Sequence, residues 1–571
     1  MTLAAPALWT GWQQDDLIHR YFLLGNVDYA GERPSPLDLF YFLNGDTARA
    51  KGLTDIGVVP WWTLPELRLS FLRPLTSFTH WIDYQLWPQN GVMMHLHSLF
   101  WFGAVVVVAS SFYRRMLGWT WVAGLAAILF ALDDAHGLPA GWLANRNALL
   151  SLFFGLLVLL VHDRWRQESW RPGAYLGPLL LLSGLLSGES ALAVGGYLLS
   201  YAVIIDPGSA RGRVWSLVPY AVVSVAWLIL YKVLGYGTHG SGFYVDALSE
   251  PMQFLSAVLW KAPLLLADQW GLPPSSIIVF LDSDAITLIL IWSLLLIAAL
   301  GVILFPLARR DRLARFWLTG MLLSIPLVCT TMPHSRLLSF VGIGGMGLLA
   351  QWVGGILSRA GWMSPRGSWR VLARGMLAFF LVVHLLVAPI LLAMNATSAA
   401  FAEPYIQEPM EDVVLGPSIA QQDLVIVNHP LAFYAHYFLT VRMLSHQSIP
   451  RSVRVLAPGA RNLSVRRLDA STLSLRPAGG FLESPFDRVF RGLDHPLLVG
   501  DEVQLNRMSV MIMRRAADGR PSEAVFRFGV SLEDSSLSWL QWQGDRFVPF
   551  QPPLVGDSVI LRGWPLDLSS P

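Results

Sequence analysis

Two adjacent carboxylates near the start of the chain, Asp15 and Asp16, are the residues best suited to carry chemistry. An acidic pair can bind a divalent cation, act as a general base or cap a helix, and a cap or a solvated turn is the commonest role. If the residues that follow are helical, Asp16 lies nearer the helix start, where exposed N–H groups orient a carboxylate. We therefore predict Asp16, and after it Asp15, as the general base.

Further ionisable side chains lie at the ends of apolar segments, where they are costly in free energy and are candidates for function. Arg73 precedes Pro74, and its guanidinium can pair with a phosphate or snorkel at the membrane interface. His95 begins an apolar segment, where a packed, hydrogen-bonded histidine is commoner than a ligand. The other predicted substrate-binding residues, each with a cap, loop or anchor as the alternative, are Asp134, His136, Arg146, Glu189 and Arg336.

The three arginines among these residues suit a phosphate or pyrophosphate held at the level of the lipid headgroups. A carboxylate nearby suits a base that activates a hydroxyl. Together they indicate group transfer from a lipid-linked phosphate donor to an acceptor. The sequence order Asp-Asp-x-His occurs at Asp133, Asp134 and His136 and could suggest a metal site. Two carboxylates and one imidazole without further ligands are too few to indicate one. We assign no metal ligand, and the one cofactor considered is a divalent cation at an acidic pair.

The composition predicts the kind of scaffold that holds these side chains. The chain has 571 residues, of which 54% are hydrophobic and 14% charged, too apolar for a soluble globular protein. Long apolar runs indicate a multi-pass membrane protein. A net charge of +2 leaves no electrostatic footprint for nucleic acid. The cations are almost all arginine, a bias that fits a GC-rich bacterial genome.

Ten apolar segments are candidates to cross about 30 Å of hydrocarbon, several of them near the lower limit of length. Residues 252–268 are interrupted by Lys261 and Pro263, and we expect them to be re-entrant or interfacial. The predicted fold is a polytopic α-helical membrane protein with about 10–11 transmembrane helices. The ten segments are 93–112, 117–132, 147–162, 173–187, 190–205, 214–234, 285–306, 314–332, 337–357 and 371–394.

Arginines are distributed unevenly between the loops, which predicts the orientation. Every second loop is rich in arginine and is therefore expected in the cytoplasm. The loops between them hold mainly Arg146 and Arg336 and are expected outside, together with the segments before 93 and after 395. A long N-terminal segment outside the cell must be carried across the membrane, so we expect a further transmembrane helix upstream of Met1. The predicted location is the cytoplasmic (inner) membrane, with the active face and the C-terminal region extracytoplasmic. The arginine-rich, cytoplasmic loops hold Arg114 and Arg115; Arg164, Arg166 and Arg171; Arg211 and Arg213; Arg309, Arg310, Arg312 and Arg315; and Arg359, Arg366 and Arg370.

The composition changes after residue 400, where alternating apolar patterns separated by turns predict strands. We divide the chain into a first extracytoplasmic loop with the acidic pair (1–92), a transmembrane domain (93–395) and an extracytoplasmic α+β or mostly-β domain (400–571).

Over residues 10–360 the sequence resembles the GT-C membrane glycosyltransferases, in particular the protein O-mannosyltransferase-like enzymes that carry tetratricopeptide repeats in animals. The resemblance rests on five elements in the same order and topology. They are the acidic pair Asp15-Asp16; Arg73–Thr76 with His95 opening the next helix; His136, Trp142 and Arg146; the Gly-Glu-Ser turn at Glu189; and the Ser-Arg-Leu-Leu turn at Arg336 before a glycine-rich helix.

The resemblance implies a polyprenyl- or dolichyl-phosphate sugar as donor, transferred with inversion to a protein, lipid or glycan acceptor. It implies Asp16 or Asp15 as the base, and Arg73, Arg146 and Arg336 as phosphate or loop anchors. The alternative is a non-enzymatic carrier or scaffold of polysaccharide export that retains the fold. A transporter would need polar residues at the bilayer midplane, whereas here they cluster at one face.

Overall fold

The computed structural model describes residues 1–26, 35–431, 437–459 and 461–563. The chain opens with a 3-10 helix, Thr2–Trp9, and then forms three short helices before the apolar bundle. These are α1 (Asp15–Leu23), α2 (Thr47–Ile56) and α3 (Pro74–Leu86).

The bundle follows from apolar runs that end at capping or basic residues. In the first long helix, Asn90 accepts a hydrogen bond from the backbone of Met93 at the start, and Arg114 and Arg115 lie in the last turn, where cations interact favourably with the helix dipole. The helices are α4 (Gly91–Leu117), α5 (Trp121–Leu132), α6 (Gly137–Gly141), α7 (Arg146–Glu168), α8 (Gly173–Leu185), α9 (Val194–Ile204), α10 (Ala210–Val233), α11 (Pro251–Trp270), α12 (Ser283–Arg310), α13 (Arg312–Val328), α14 (Ser339–Leu357), α15 (Gly367–Val382) and α16 (Ala388–Thr397).

Nine of the ten predicted segments each overlap one of these helices, and the tenth, 371–394, covers α15 and α16, which a π-helical turn at Val383–Val387 joins. In the described part of the chain, six helices are long and apolar enough to cross a membrane, or seven if the bent pair of α5 with residues 134–141 is one span. The remaining three segments form the shorter helices α8, α9 and α13. Residues 252–268, expected to be re-entrant or interfacial, lie within the continuous helix α11. The chain is thus a multi-pass α-helical membrane protein.

Arginines of the loops predicted to be cytoplasmic lie together at one end of the bundle. Arg115 forms an ion pair with Asp163, and Arg312 Nε donates to the carbonyl oxygen of Ile204 over 3.1 Å. Arg166 pairs with Asp206 over 2.7 Å. Asp16 and Arg146 lie at the opposite end, as the alternation predicts, because Arg146 begins α7 and Ala144 just before it donates to Asp16, whereas Arg166 lies in the last turn of α7.

The region after residue 400 is rich in strands, as predicted. It adds two short helices, α17 (Glu403–Asp412) and α18 (Phe438–Leu444). A small three-stranded sheet contains two strands of the first loop and one strand from the segment after α10. The strands are β1 (Tyr41–Asn44), β2 (Arg68–Ser70), β3 (Gly237–His239), β4 (Asp423–His429), β5 (Ser452–Pro458), β6 (Leu463–Arg467), β7 (Thr472–Pro477), β8 (Glu502–Leu505), β9 (Met508–Arg515), β10 (Pro521–Phe528), β11 (Leu537–Gln543), β12 (Arg546–Pro549) and β13 (Ser558–Leu561).

The C-terminal strands form two sheets. One has six antiparallel strands in the order β13-β6-β7-β10-β9-β8. The other has four strands in the order β12-β11-β4-β5, in which β4 is parallel to both neighbours and β12 is antiparallel to β11.

The first loop and the C-terminal sheets share one hydrophobic core. Trp61 and Trp62 are 4% and 1% exposed and belong to the same apolar cluster as side chains of β5, β9 and β10. Gly57, at a positive φ of 85°, ends α2, and a Cβ there would clash with the carbonyl of Val453. Residues 57–62 of the first loop are therefore packed against the C-terminal region.

Candidate functional site

Asp16 holds two segments together. It lies in the first turn of α1 and is 2% exposed. Its Oδ2 accepts the backbone N–H of Gln13 over 3.0 Å, and its Oδ1 accepts that of Ala144 over 2.7 Å. Burial raises the pKa of Asp16 to about 8, although these two backbone bonds lower it. Both carboxylate oxygens are thus engaged in joining α1 to the turn before α7.

Asp15, by contrast, faces the arginines. Its half-buried carboxyl accepts a hydrogen bond from the Tyr437 hydroxyl, 2.6 Å from Oδ1. Burial raises the pKa of Asp15, while the Tyr437 hydrogen bond and the charges of Arg336 and Arg73 lower it. Asp15 is therefore the member of the pair that shares a site with two guanidinium groups.

Arg73 is held in place by a carboxylate and two rings. It precedes Pro74 at the start of α3, and its Nε and Nη2 lie 2.9 Å and 2.8 Å from Glu189 Oε2. Its guanidinium carbon lies 4.5 Å and 4.9 Å from the ring centroids of Phe71 and Phe40, within cation–π range. Glu189 thus fixes the orientation of Arg73, whose charge acts on Asp15.

Arg336 offers an unused hydrogen-bond donor. It belongs to a 3-10 turn, Ser335–Leu338, which His334 caps by accepting the Arg336 backbone N–H over 3.2 Å. Its guanidinium carbon lies 5.4 Å from the ring centroid of Trp142. Its Nε is buried and has no hydrogen-bond partner among the described residues. A buried guanidinium donor without a partner is costly, so the site favours an anionic ligand here.

Arg146 lies in the interior. It is fully buried, and each of its three nitrogens has a partner. Nη1 pairs with Asp83 Oδ2 over 2.6 Å, Nε donates to Ser98 Oγ over 2.9 Å, and Nη2 donates to Met94 O over 2.9 Å. The other Asp83 oxygen lies 2.6 Å from His97 Nδ1. These contacts suit an anchor between α3, α4 and α7 rather than a direct phosphate ligand.

The remaining predicted residues lie around this framework. His95 is fully buried, and its Nε2 lies 2.7 Å from the carbonyl oxygen of Gly11. His136 packs between the rings of Phe102 and Phe130, with centroids 5.5 Å and 4.6 Å away. Asp134 accepts the side-chain amide of Asn395 over 3.2 Å. In the part of the chain that the structure describes, no hydrogen bond or ion pair joins any of the three to Asp15.

A second polar cluster lines a small cavity between α5, α11 and α16. Asp133 Oδ2 accepts the side-chain amide of Gln269 over 2.8 Å. Asp268 accepts both the backbone N–H and the hydroxyl of Ser275, over 2.9 Å and 2.6 Å. Asp134 lines the same cavity. Within the described ranges, no group of three or more His, Cys, Asp or Glu side chains is arranged to hold a metal ion.

Asp83 and Tyr437 were not predicted as site residues from the sequence. Asp83 is the one carboxylate between Arg73 and His95, so a search for the partner of an external arginine would have found it. Tyr437 lies 422 residues from Asp15, and no local pattern marks it.

Comparison with known proteins gives no family. No family model matches the chain, and no curated protein matches it. Among solved structures, it is similar to ArnT from Cupriavidus metallidurans. The apo form has a TM-score of 0.34 and 12% sequence identity, over 73% of this chain and 86% of that chain. The form bound to undecaprenyl phosphate has a TM-score of 0.34 and 13% identity, over 86% of this chain and 95% of that chain.

Proposed function

We propose that this chain is an integral membrane glycosyltransferase of GT-C architecture. It transfers a sugar from a polyprenyl-phosphate donor to an acceptor at the outer face of the cytoplasmic membrane. The observation that carries the proposal is the grouping of Asp15 with Arg73 and Arg336 at one end of the bundle. A base and two guanidinium groups are what transfer from a phosphate-linked donor needs.

Asp15 is the base in this proposal. It accepts the proton of the acceptor hydroxyl while that oxygen forms a bond to the anomeric carbon of the sugar. The bond between the anomeric carbon and the phosphate oxygen breaks, and its electron pair leaves with polyprenyl phosphate. A single displacement of this kind inverts the anomeric centre.

Arg336 and Arg73 stabilise the leaving phosphate. The phosphate gains negative charge as the bond breaks, so donors placed beforehand at its oxygens lower the barrier. The unpartnered Nε of Arg336 is available for this contact, and Glu189 fixes the position of Arg73. Asp16, Arg146 and His95 act indirectly in this scheme, since they join α1, α4 and α7 around the base.

Turnover in proteoliposomes tests the proposal. The purified protein is supplied with a polyprenyl-phosphate sugar whose phosphate is radiolabelled, together with a mixture of hydroxyl acceptors, and the release of polyprenyl phosphate is measured. We expect release that depends on both the protein and an acceptor. Binding of the donor without release would support the carrier or scaffold alternative.

A further inference from the structure

We propose that the C-terminal region is part of the catalytic unit, and that Tyr437 is the positioning residue through which it orients the Asp15 carboxylate. The inference rests on the proposed function, because it assigns a role toward the base of that reaction. In this inference the strand-rich region both packs on the first loop and contributes a residue that orients Asp15.

The contact itself is direct and partly buried. Tyr437 is 1% exposed, and its hydroxyl lies 2.6 Å from Asp15 Oδ1. The ring precedes α18, whose Phe438 and Val441 share one apolar cluster with Leu17 of α1. The packing of α18 on α1 therefore sets where the hydroxyl meets the carboxylate.

A second set of contacts holds the same two parts of the chain together. Trp61 Nε1 donates to the carbonyl oxygen of Leu456 over 3.0 Å, and Arg454 Nη1 donates to that of Thr54 over 3.1 Å. Arg491 Nε donates to the carbonyl oxygen of Trp62 over 2.6 Å. These bonds give a second connection between the first loop and the C-terminal region, in addition to the Tyr437–Asp15 bond.

The bond has two consequences for a base. It engages Oδ1, which leaves Oδ2 for the acceptor hydroxyl, and it stabilises the ionised carboxylate over the neutral acid. The other groups that act on Asp15 are Arg73 and Arg336, which also favour ionisation. Among the described residues, Asp16 and Tyr244 also interact electrostatically with Asp15.

Replacing Tyr437 with Phe removes the hydroxyl and keeps the ring. Without the hydrogen bond the pKa of Asp15 rises, so the pH at which transfer reaches half its maximum on the acid side rises by about 1 unit. At a pH below that midpoint the transfer rate falls about tenfold, and it recovers as pH increases. The KM for the donor stays unchanged, since Tyr437 acts on the base.

Tyr201→Phe is the matched control. Tyr201 is 2% exposed and donates to Asp163 Oδ1 over 2.7 Å, the same type of bond at the other end of the bundle. We expect its pH profile to match that of the unmodified protein. Superimposable profiles for Tyr437→Phe and Tyr201→Phe in an active protein would overturn this inference alone. No turnover in the unmodified protein would overturn the proposed function and this inference with it.

Thermal unfolding gives a readout that does not depend on turnover. Asp15→Ala removes both carboxylate oxygens. If the bond exists, Tyr437→Phe and Asp15→Ala therefore remove the same interaction, so the melting temperature of the double variant falls by less than the sum of the two single changes. Additive changes would contradict the contact.

Discussion

The backbone N–H of Ala144 donates to Asp16 Oδ1 over 2.7 Å, although 128 residues separate the two. The bond joins the start of α1 to the turn that precedes α7. It also explains why the second aspartate of the pair, predicted from the sequence as the preferred base, is less available than the first. In our proposal the two aspartates have different roles. Asp16 accepts backbone hydrogen bonds that hold the structure together, and Asp15 is the base.

Asp16→Asn tests this division. An amide has only one acceptor oxygen, so one of the two backbone N–H groups would face an NH2 group. We expect a loss of about 1–3 kcal/mol in the free energy of unfolding, measured by thermal or denaturant unfolding in detergent, with a smaller loss of transfer than in Asp15→Asn.

Asp46→Asn is the control for this change. Asp46 caps α2 by accepting the backbone N–H groups of Ala48 and Arg49, and Asn caps about as well as Asp. Its stability should be unchanged. A stable Asp16→Asn variant whose transfer collapses would restore Asp16 as the base.

Arg336→Lys and Arg73→Lys test the phosphate contacts. Lysine keeps the charge but lacks the planar fork that pairs with phosphate oxygens. We expect donor binding, measured by titration calorimetry with a polyprenyl-phosphate sugar, to weaken about tenfold or more. Arg68→Lys is the control, because Arg68 Nε donates to the carbonyl oxygen of Asn44. Equal, small effects at all three positions would identify the arginines as interfacial anchors.

Asp83→Asn tests whether Arg146 is an anchor. Removing one partner of a buried ion pair leaves an uncompensated charge, which costs about 3–5 kcal/mol. We expect the melting temperature to fall sharply. Glu168→Gln, which weakens a pair at the surface with Arg115, should change it very little. A stable Asp83→Asn variant with weakened donor binding would instead place Arg146 among the phosphate ligands.

Reporter fusions test the orientation. The structure places Arg115 and Arg312 at one end of the bundle and the acidic pair at the other, and the arginine rule assigns the first end to the cytoplasm. Fusions after Arg115, Arg213 and Arg312 should report a cytoplasmic location, and fusions after Gly240 and Pro417 an external one. An inverted pattern would put Asp15 on the wrong side for an outer-face transferase.

The helices could be predicted from the sequence because each apolar run is a local signal. The strands after residue 400 were predicted for the same reason. The packing of Trp61 and Trp62 into the C-terminal core could not be, since it joins segments almost 400 residues apart. The site residues show the same difference between local signals and contacts over long sequence distances. Asp15 and the arginines were visible as polar residues at the ends of apolar segments, whereas the roles of Tyr437 and Asp83 depend on tertiary contacts.

The most direct test of the account is the rate of transfer by Asp15→Asn. Asn keeps the shape of the side chain but cannot accept a proton, so a variant that lacks only the base should lose about 10²–10⁴-fold in rate. Polyprenyl phosphate release is measured in proteoliposomes at saturating donor, beside the unmodified protein and Asp16→Asn. We predict that Asp15→Asn folds and binds the donor but does not turn it over at a comparable rate. Full activity of a stable Asp15→Asn variant would contradict the account.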